Sequence, residues 1–119
     1  MDDTRLYHNP RCSKSRDVLQ LLQARGIEPR IVPYLEQPPS ADEIRSLLAL
    51  LGVPARSLIR TGEEDYAALG LADMSLDEET LIQALATHPR LLERPLFVHA
   101  GRAVIGRPPE RVLDLLPPV

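Results

Sequence analysis

Twelve prolines stand in a chain of 119 residues, about twice the ordinary share of roughly 5%. A proline fixes φ and lacks an N–H, so it is kept out of helix interiors and central strands. The prolines therefore fall at element boundaries, and the apolar patterns between them can be read one segment at a time. Leu6 and Tyr7 suit a strand over Thr4 to Tyr7, closed by the turn signal His8-Asn9-Pro10. A helix is expected from Ser13, with Val18, Leu19, Leu21 and Leu22 on its apolar face, Asp17 early and Gly26 at its end. Ile31, Val32 and Tyr34 mark a second strand over Arg30 to Tyr34. This opening β-α-β unit implies a right-handed crossover and two parallel strands.

The middle of the chain reads differently. After Pro38-Pro39, Ser40 with Glu43 forms a capping box, and Ile44, Leu47, Leu48 and Leu51 repeat at helical spacing up to Gly52. A short helical patch is expected over Glu63 to Leu69. A second capping box, Ser75 with Glu78, opens a helix through Leu81, Ile82 and Leu85 that stops at His88-Pro89. Residues 40–92 thus read as a helical insert within a single domain spanning 1–119. Strands then return: Leu96 to Val98 and Ala103 to Ile105 flank a turn at Ala100-Gly101. Pro108-Pro109 start a last helix, with Val112, Leu113, Leu115 and Leu116 on one face and Pro117-Pro118 as its stop. The order β-α-β, helices, β-β-α predicts an α/β fold with a mixed four-stranded sheet.

A chain of this length fits one domain, and its apolar content of 44% supports a core of Leu, Ile, Val and Ala, since Trp is absent. The net charge of −3 argues against a nucleic-acid or membrane surface, which needs basic patches. No apolar run approaches the roughly 18 residues that would suggest a span. Met1 to Arg5 carries two aspartates, Asp2 and Asp3, and leads directly into a strand pattern, so no signal peptide is expected. A single cysteine makes no internal disulfide and no cysteine-rich zinc site, and no His, Asp or Glu spacing supports another metal site. A cytosolic location follows as the expectation.

That one cysteine, Cys12, falls between the first strand and the first helix. Unpaired N–H groups and the positive end of the helix dipole meet there, and both favour a thiolate over a thiol. Such surroundings lower a cysteine pKa from about 8.5 to roughly 3.5–7.5. The same N–H groups hold anions. Ser13 and Ser15 offer hydroxyls, Lys14 and Arg16 add positive charge, and His8 lies just upstream. Spacing removes two kinds of site. A phosphate-cradling loop of the type Cys, five residues, Arg would need arginine where Val18 stands. A Cys-x-x-Cys dithiol would need cysteine where Ser15 stands. The resolving thiol must come from outside, as from glutathione.

Tyr7-His8-Asn9-Pro10-x-Cys12-x-x-Ser15-Arg16 resembles the active-site stretch of the ArsC-type arsenate reductases that use glutathione and glutaredoxin. The likeness continues through Tyr34-Leu35-Glu36-x-Pro38-Pro39, Leu58-Ile59-Arg60, His88-Pro89, Glu93-Arg94-Pro95 and Ile105-Gly106-Arg107-Pro108. Cys12-Ser13-Lys14-Ser15-Arg16 and Gly106-Arg107-Pro108-Pro109-Glu110 resemble the short YfgD-like branch, where the best-characterised reductases have Gly-Thr in place of Ser13-Lys14. The resemblance implies a thioredoxin-like fold with the helical region inserted. It implies that Cys12 is the nucleophile, with His8 and Ser15 lowering its pKa, and that Arg60, Arg94 and Arg107 bind an arsenate-like oxyanion. It implies glutathione as co-substrate, glutaredoxin as partner and no bound cofactor. Thioredoxin-like folds also place a cis-proline before the third strand, so Arg94–Pro95 is expected to be cis. Two other activities fit parts of the pattern. A Cys-x-x-Ser site suits a monothiol, glutathione-dependent thiol transferase. The related Spx regulators bind RNA polymerase, but they typically carry Cys-x-x-Cys and lack this arginine set.

Overall fold

The computed structural model describes residues 4–117; the expectations for Asp2, Asp3 and Pro118 lie outside them. The chain divides into two compact units, one made of the segments up to Gln37 and from Arg94 onward, the other of Pro38–Glu93.

The first unit is built on a four-stranded sheet in the order β2-β1-β3-β4. Its strands are β1 (Thr4–Tyr7), β2 (Arg30–Val32), β3 (Leu96–His99) and β4 (Arg102–Ile105). β1 runs parallel to β2 and antiparallel to β3, and β3 is antiparallel to β4. Leu6, Phe97 and Val104 stand opposite one another in register, so their side chains share one face. Helix α1 (Ser13–Ala24) adds Val18 and Leu22 to that face, and the last helix (Pro109–Leu115) with the Leu116 that follows it adds Val112, Leu115 and Leu116, giving one apolar cluster. α1 closes as the sequence predicts: Gly26 takes a φ of +77°. The Ile27 N–H then returns to the Leu22 carbonyl, as in a Schellman ending. The β3–β4 hairpin turns at Ala100 and Gly101, both at positive φ, as a two-residue hairpin matched to strand twist requires.

Two elements of this unit differ from expectation. The second strand ends at Val32 rather than Tyr34. Pro33 has no N–H to continue a ladder, and its carbonyl instead accepts from Glu36 and Gln37 in a turn. The last helix, Pro109–Leu115, is 3-10 rather than α. Its buried residues are Pro109, Val112 and Leu115, a spacing of three that matches three residues per turn.

The second unit holds α2 (Ala41–Leu51), α3 (Glu64–Ala68) and α4 (Glu78–Thr87), with 3-10 turns at Ala55–Leu58 and Pro89–Leu91. Ser40 caps α2 by accepting from the Glu43 N–H, and Gly52 closes it in the left-handed conformation. α2 packs on α4, with Ile44, Leu47 and Leu48 buried on one and Leu81, Ile82 and Leu85 on the other. The cap of α4 is Asp77, which accepts from Thr80, rather than Ser75. Asp73 holds the Ser75 hydroxyl and N–H at 2.7 and 2.9 Å, and a carboxylate suits the positive helix end better than a hydroxyl does. No helix among the described residues is long and apolar enough to cross a membrane.

Candidate active site

β1 delivers the chain to a loop, His8 to Cys12, that is fastened at both ends. The His8 N–H donates to the Val32 carbonyl of β2 at 3.0 Å. Asn9 is the hub of the loop. Its carbonyl accepts from the Cys12 N–H at 3.0 Å. Its side-chain oxygen accepts from the Arg11 N–H at 3.0 Å, and its own N–H donates to Ser15 Oγ at 3.1 Å. The Asn-Pro turn signal marked this bend, but nothing in the spacing singled out Asn9 itself.

Cys12 is the N-cap residue of α1, with extended backbone angles. Its sulfur is partly exposed. Burial pushes the thiol pKa up, but four influences together carry it below its ordinary value. These are the Ser15 N–H, the charge of Arg94, the Lys14 N–H and the charge of Arg107. The thiolate is thus favoured by the helix start and by two guanidinium groups. Arg107 Nη2 reaches to 3.9 Å from Cys12 Sγ, and Arg107 Nε donates to the Arg94 carbonyl at 2.7 Å. Residues 95 positions apart in sequence are thereby tied to one point.

The cis Arg94–Pro95 bond agrees with expectation; Arg107–Pro108 is cis as well. The Pro95 carbonyl accepts from the Gly106 N–H at 2.9 Å. Gly106 leaves no room for a side chain: a Cβ there would lie 2.7 Å from Val18 Cγ2 and 3.0 Å from the Pro95 ring. This close packing holds α1, the Pro95 segment and the Arg107 segment together.

Ser15 and His8 stand behind the sulfur. Ser15 is fully buried, and its Oγ lies 2.6 Å from His8 Nδ1. Its hydroxyl braces the loop, and its peptide N–H favours the thiolate. Burial, and then the charge of Arg16, lower the His8 pKa, which favours the neutral imidazole. The structure thus brings Cys12, His8, Ser15, Arg94 and Arg107 together within one unit. Arg60 lies in the other unit, where its guanidinium pairs with Glu63 at 2.7 Å and its N–H donates to the Leu91 carbonyl.

The sheet order, the helix after β1 and the cysteine at that helix's start define a thioredoxin-like protein with a single activated thiol. Its relatives agree. A sequence model of the ArsC family matches residues 7–115. The protein YfgD of Escherichia coli K12 is 54% identical over 113 residues, 94% of this chain and 95% of its own length. An arsenate reductase of Neisseria meningitidis serogroup A is 43% identical over 117 residues, 98% of this chain and 100% of its own. The solved structure of an arsenate reductase from Vibrio cholerae superposes with a TM-score of 0.93 at 46% identity, covering 95% of this chain and 97% of that one. The chain belongs to the ArsC family.

Proposed function

We propose that this protein is a cytosolic arsenate reductase that draws its electrons from glutathione and glutaredoxin. The observation that carries the reading is the cationic niche of Cys12: a sulfur at a helix start, with Arg107 at 3.9 Å and the charge of Arg94 beside it. A niche that stabilises one anion on the sulfur also suits a second anion arriving to react with it.

In this reading Arg94 and Arg107 hold the arsenate oxygens and offset the charge that builds up during attack. The Cys12 thiolate forms an S–As bond, and one arsenate oxygen leaves as water after taking up two protons. A glutathione thiolate then attacks Cys12 Sγ. An S–S bond forms, the S–As bond breaks, and its electron pair stays on arsenic, which leaves as As(III), arsenite. A glutaredoxin thiolate attacks the glutathione sulfur of the mixed disulfide and returns Cys12 to its thiolate. His8 and Ser15 act as positioning residues that fix the loop. Arg60 is assigned as a third oxyanion ligand on the strength of the family resemblance.

The test is arsenate-dependent turnover with glutathione and glutaredoxin. Cys12→Ser is expected to abolish it. Arg94→Ala and Arg107→Ala are each expected to cost about 10²–10³ in kcat/KM, the usual effect of removing one oxyanion donor. Equal activity in wild type and Cys12→Ser removes the proposal. Turnover of a glutathionylated substrate with none of arsenate assigns the protein to thiol transfer instead.

A further inference from the structure

Arg60 carries its charge on a firmly held stem. Its N–H donates to the Leu91 carbonyl at 2.7 Å, Ile59 bridges to Leu92, and the Glu93 N–H donates to the Leu58 carbonyl at 2.7 Å. Leu58 to Arg60 is therefore one side of a short antiparallel ladder. The chain then turns through the exposed Thr61 and Gly62, and the Glu63 N–H donates back to the Arg60 carbonyl at 3.4 Å. This turn sets Glu63 Oε1 2.7 Å from Arg60 Nη1. Glu63 is the one side-chain hydrogen-bond partner of the Arg60 guanidinium among the described residues. The acidic run Glu63-Glu64-Asp65 divides by partner: Asp65 faces His88 at 3.8 Å, Glu64 is exposed, and Glu63 turns back on Arg60.

A carboxylate offers a guanidinium the same chemistry as a mineral oxyanion, negative oxygens that accept from a planar fork of donors. Arg60 thus meets a built-in anion before it meets an external one. We propose that Glu63 is an internal competitor for Arg60: its carboxylate occupies the guanidinium until an arriving oxyanion displaces it, and so sets the KM for that oxyanion. The pair is open to such an exchange, because the two side chains are 29% and 24% exposed. The freed carboxylate returns to water, and the ladder that holds the Arg60 stem is left intact. The competition weighs equally on bound substrate and on the transition state, so it raises KM and leaves kcat alone. The inference rests on the reading of Arg60 as an oxyanion ligand, but its test does not depend on the identity of the reductant.

The experiment titrates the full chain with sodium sulfate, an oxyanion that does not react with the thiolate, at constant ionic strength, and follows the backbone amides by NMR. Arsenate kinetics are measured in parallel. Glu63→Gln and Glu63→Ala are each expected to tighten sulfate binding about two- to fivefold, the factor that a partly exposed ion pair supports. The KM for arsenate should fall by a similar factor with kcat unchanged. Arg60→Ala should weaken sulfate binding, and Glu63→Gln should have no effect in that background, where the carboxylate has no guanidinium to withhold. Glu64→Gln, which removes the same charge one residue away, should leave binding as it is. Sulfate binding that Glu63→Gln leaves unchanged or weakens overturns the inference. So does an equal gain in Glu64→Gln, or a gain from Glu63→Gln that persists in the Arg60→Ala background, since either marks a general effect of charge. Unchanged sulfate binding in Arg60→Ala withdraws Arg60 from the oxyanion site and the inference with it, while turnover that still requires Cys12 keeps the reductase reading.

Discussion

Replacing Arg107 with methionine removes one positive charge from beside the Cys12 sulfur and keeps an apolar stem of similar length. At the observed 3.9 Å, two unit charges attract by about 1 kcal/mol at the dielectric constant of water and about 4 kcal/mol at an effective value of 20. One pKa unit corresponds to about 1.4 kcal/mol, so the bounds are roughly 0.8 and 3 units. Cys12 and Arg107 are both partly exposed, which places the effect near the lower bound, at about one unit. Losing a cation disfavours the anionic form, so the thiol pKa must rise. The assay is the pH dependence of iodoacetamide alkylation, which follows the thiolate fraction. The midpoint should move up by about one unit in Arg107→Met and recover in part in Arg107→Lys, which returns the charge without the guanidinium fork. Raising the salt should narrow the gap between wild type and Arg107→Met as the Debye length shrinks from about 30 Å at 0.01 M to 3 Å at 1 M. Equal midpoints for wild type and Arg107→Met, in a variant with an unchanged circular dichroism spectrum, would refute the electrostatic argument.

Two further outcomes follow from the packing and from the buried imidazole. Gly106→Ala pushes a methyl group to 2.7 Å from Val18 Cγ2; overpacking of this kind costs about 1–3 kcal/mol, measurable in urea denaturation. The cost should shrink in a Val18→Ala background, whereas strict additivity of the two changes would count against the contact. His8 has a depressed pKa in the fold, first through burial and then through Arg16. Its contribution to stability is complete above the unfolded value of about 6.5 and is lost as the pH falls below it toward the folded value. Wild type should therefore lose stability on acidification through that window more steeply than His8→Gln, and parallel pH profiles would contradict the assignment.

Local signals carried most of the fold. Gly26 and Gly52 ended their helices, Ser40 began one, and Ala100-Gly101 marked the hairpin, because each acts through its own backbone and its immediate neighbours. The errors arose where two local signals competed. Pro33 stood inside an otherwise strand-like run and won over Tyr34. Ser75 reads as the cap of α4, but Asp73 engages its hydroxyl and N–H, and Asp77 two residues on caps the helix instead. At the last helix, Val112, Leu113, Leu115 and Leu116 allowed an α-helical face, but two prolines at its start and burial at every third residue made a 3-10 helix. The site divides in the same way. That Cys12 heads a helix was readable from the turn before it and the apolar period after it. That Arg94 and Arg107 converge on its sulfur depends on strand pairing across some ninety residues, so only the family resemblance pointed to it. Asn9 was legible only as part of a turn signal, because which carbonyl, amide and side-chain oxygen of the loop meet which partner depends on the folded geometry.

The outermost strand on one side of the sheet is only Arg30-Ile31-Val32, and Pro29 and Pro33 stand at its two ends. A strand from another molecule docking there would meet three residues of usable edge, a flanking ring without an N–H at each end, and an exposed arginine. Short edges, prolines and charges are what keep sheets from growing by accretion. The same prolines that cut this chain into short elements therefore also guard the β2 border of the sheet against pairing edge to edge.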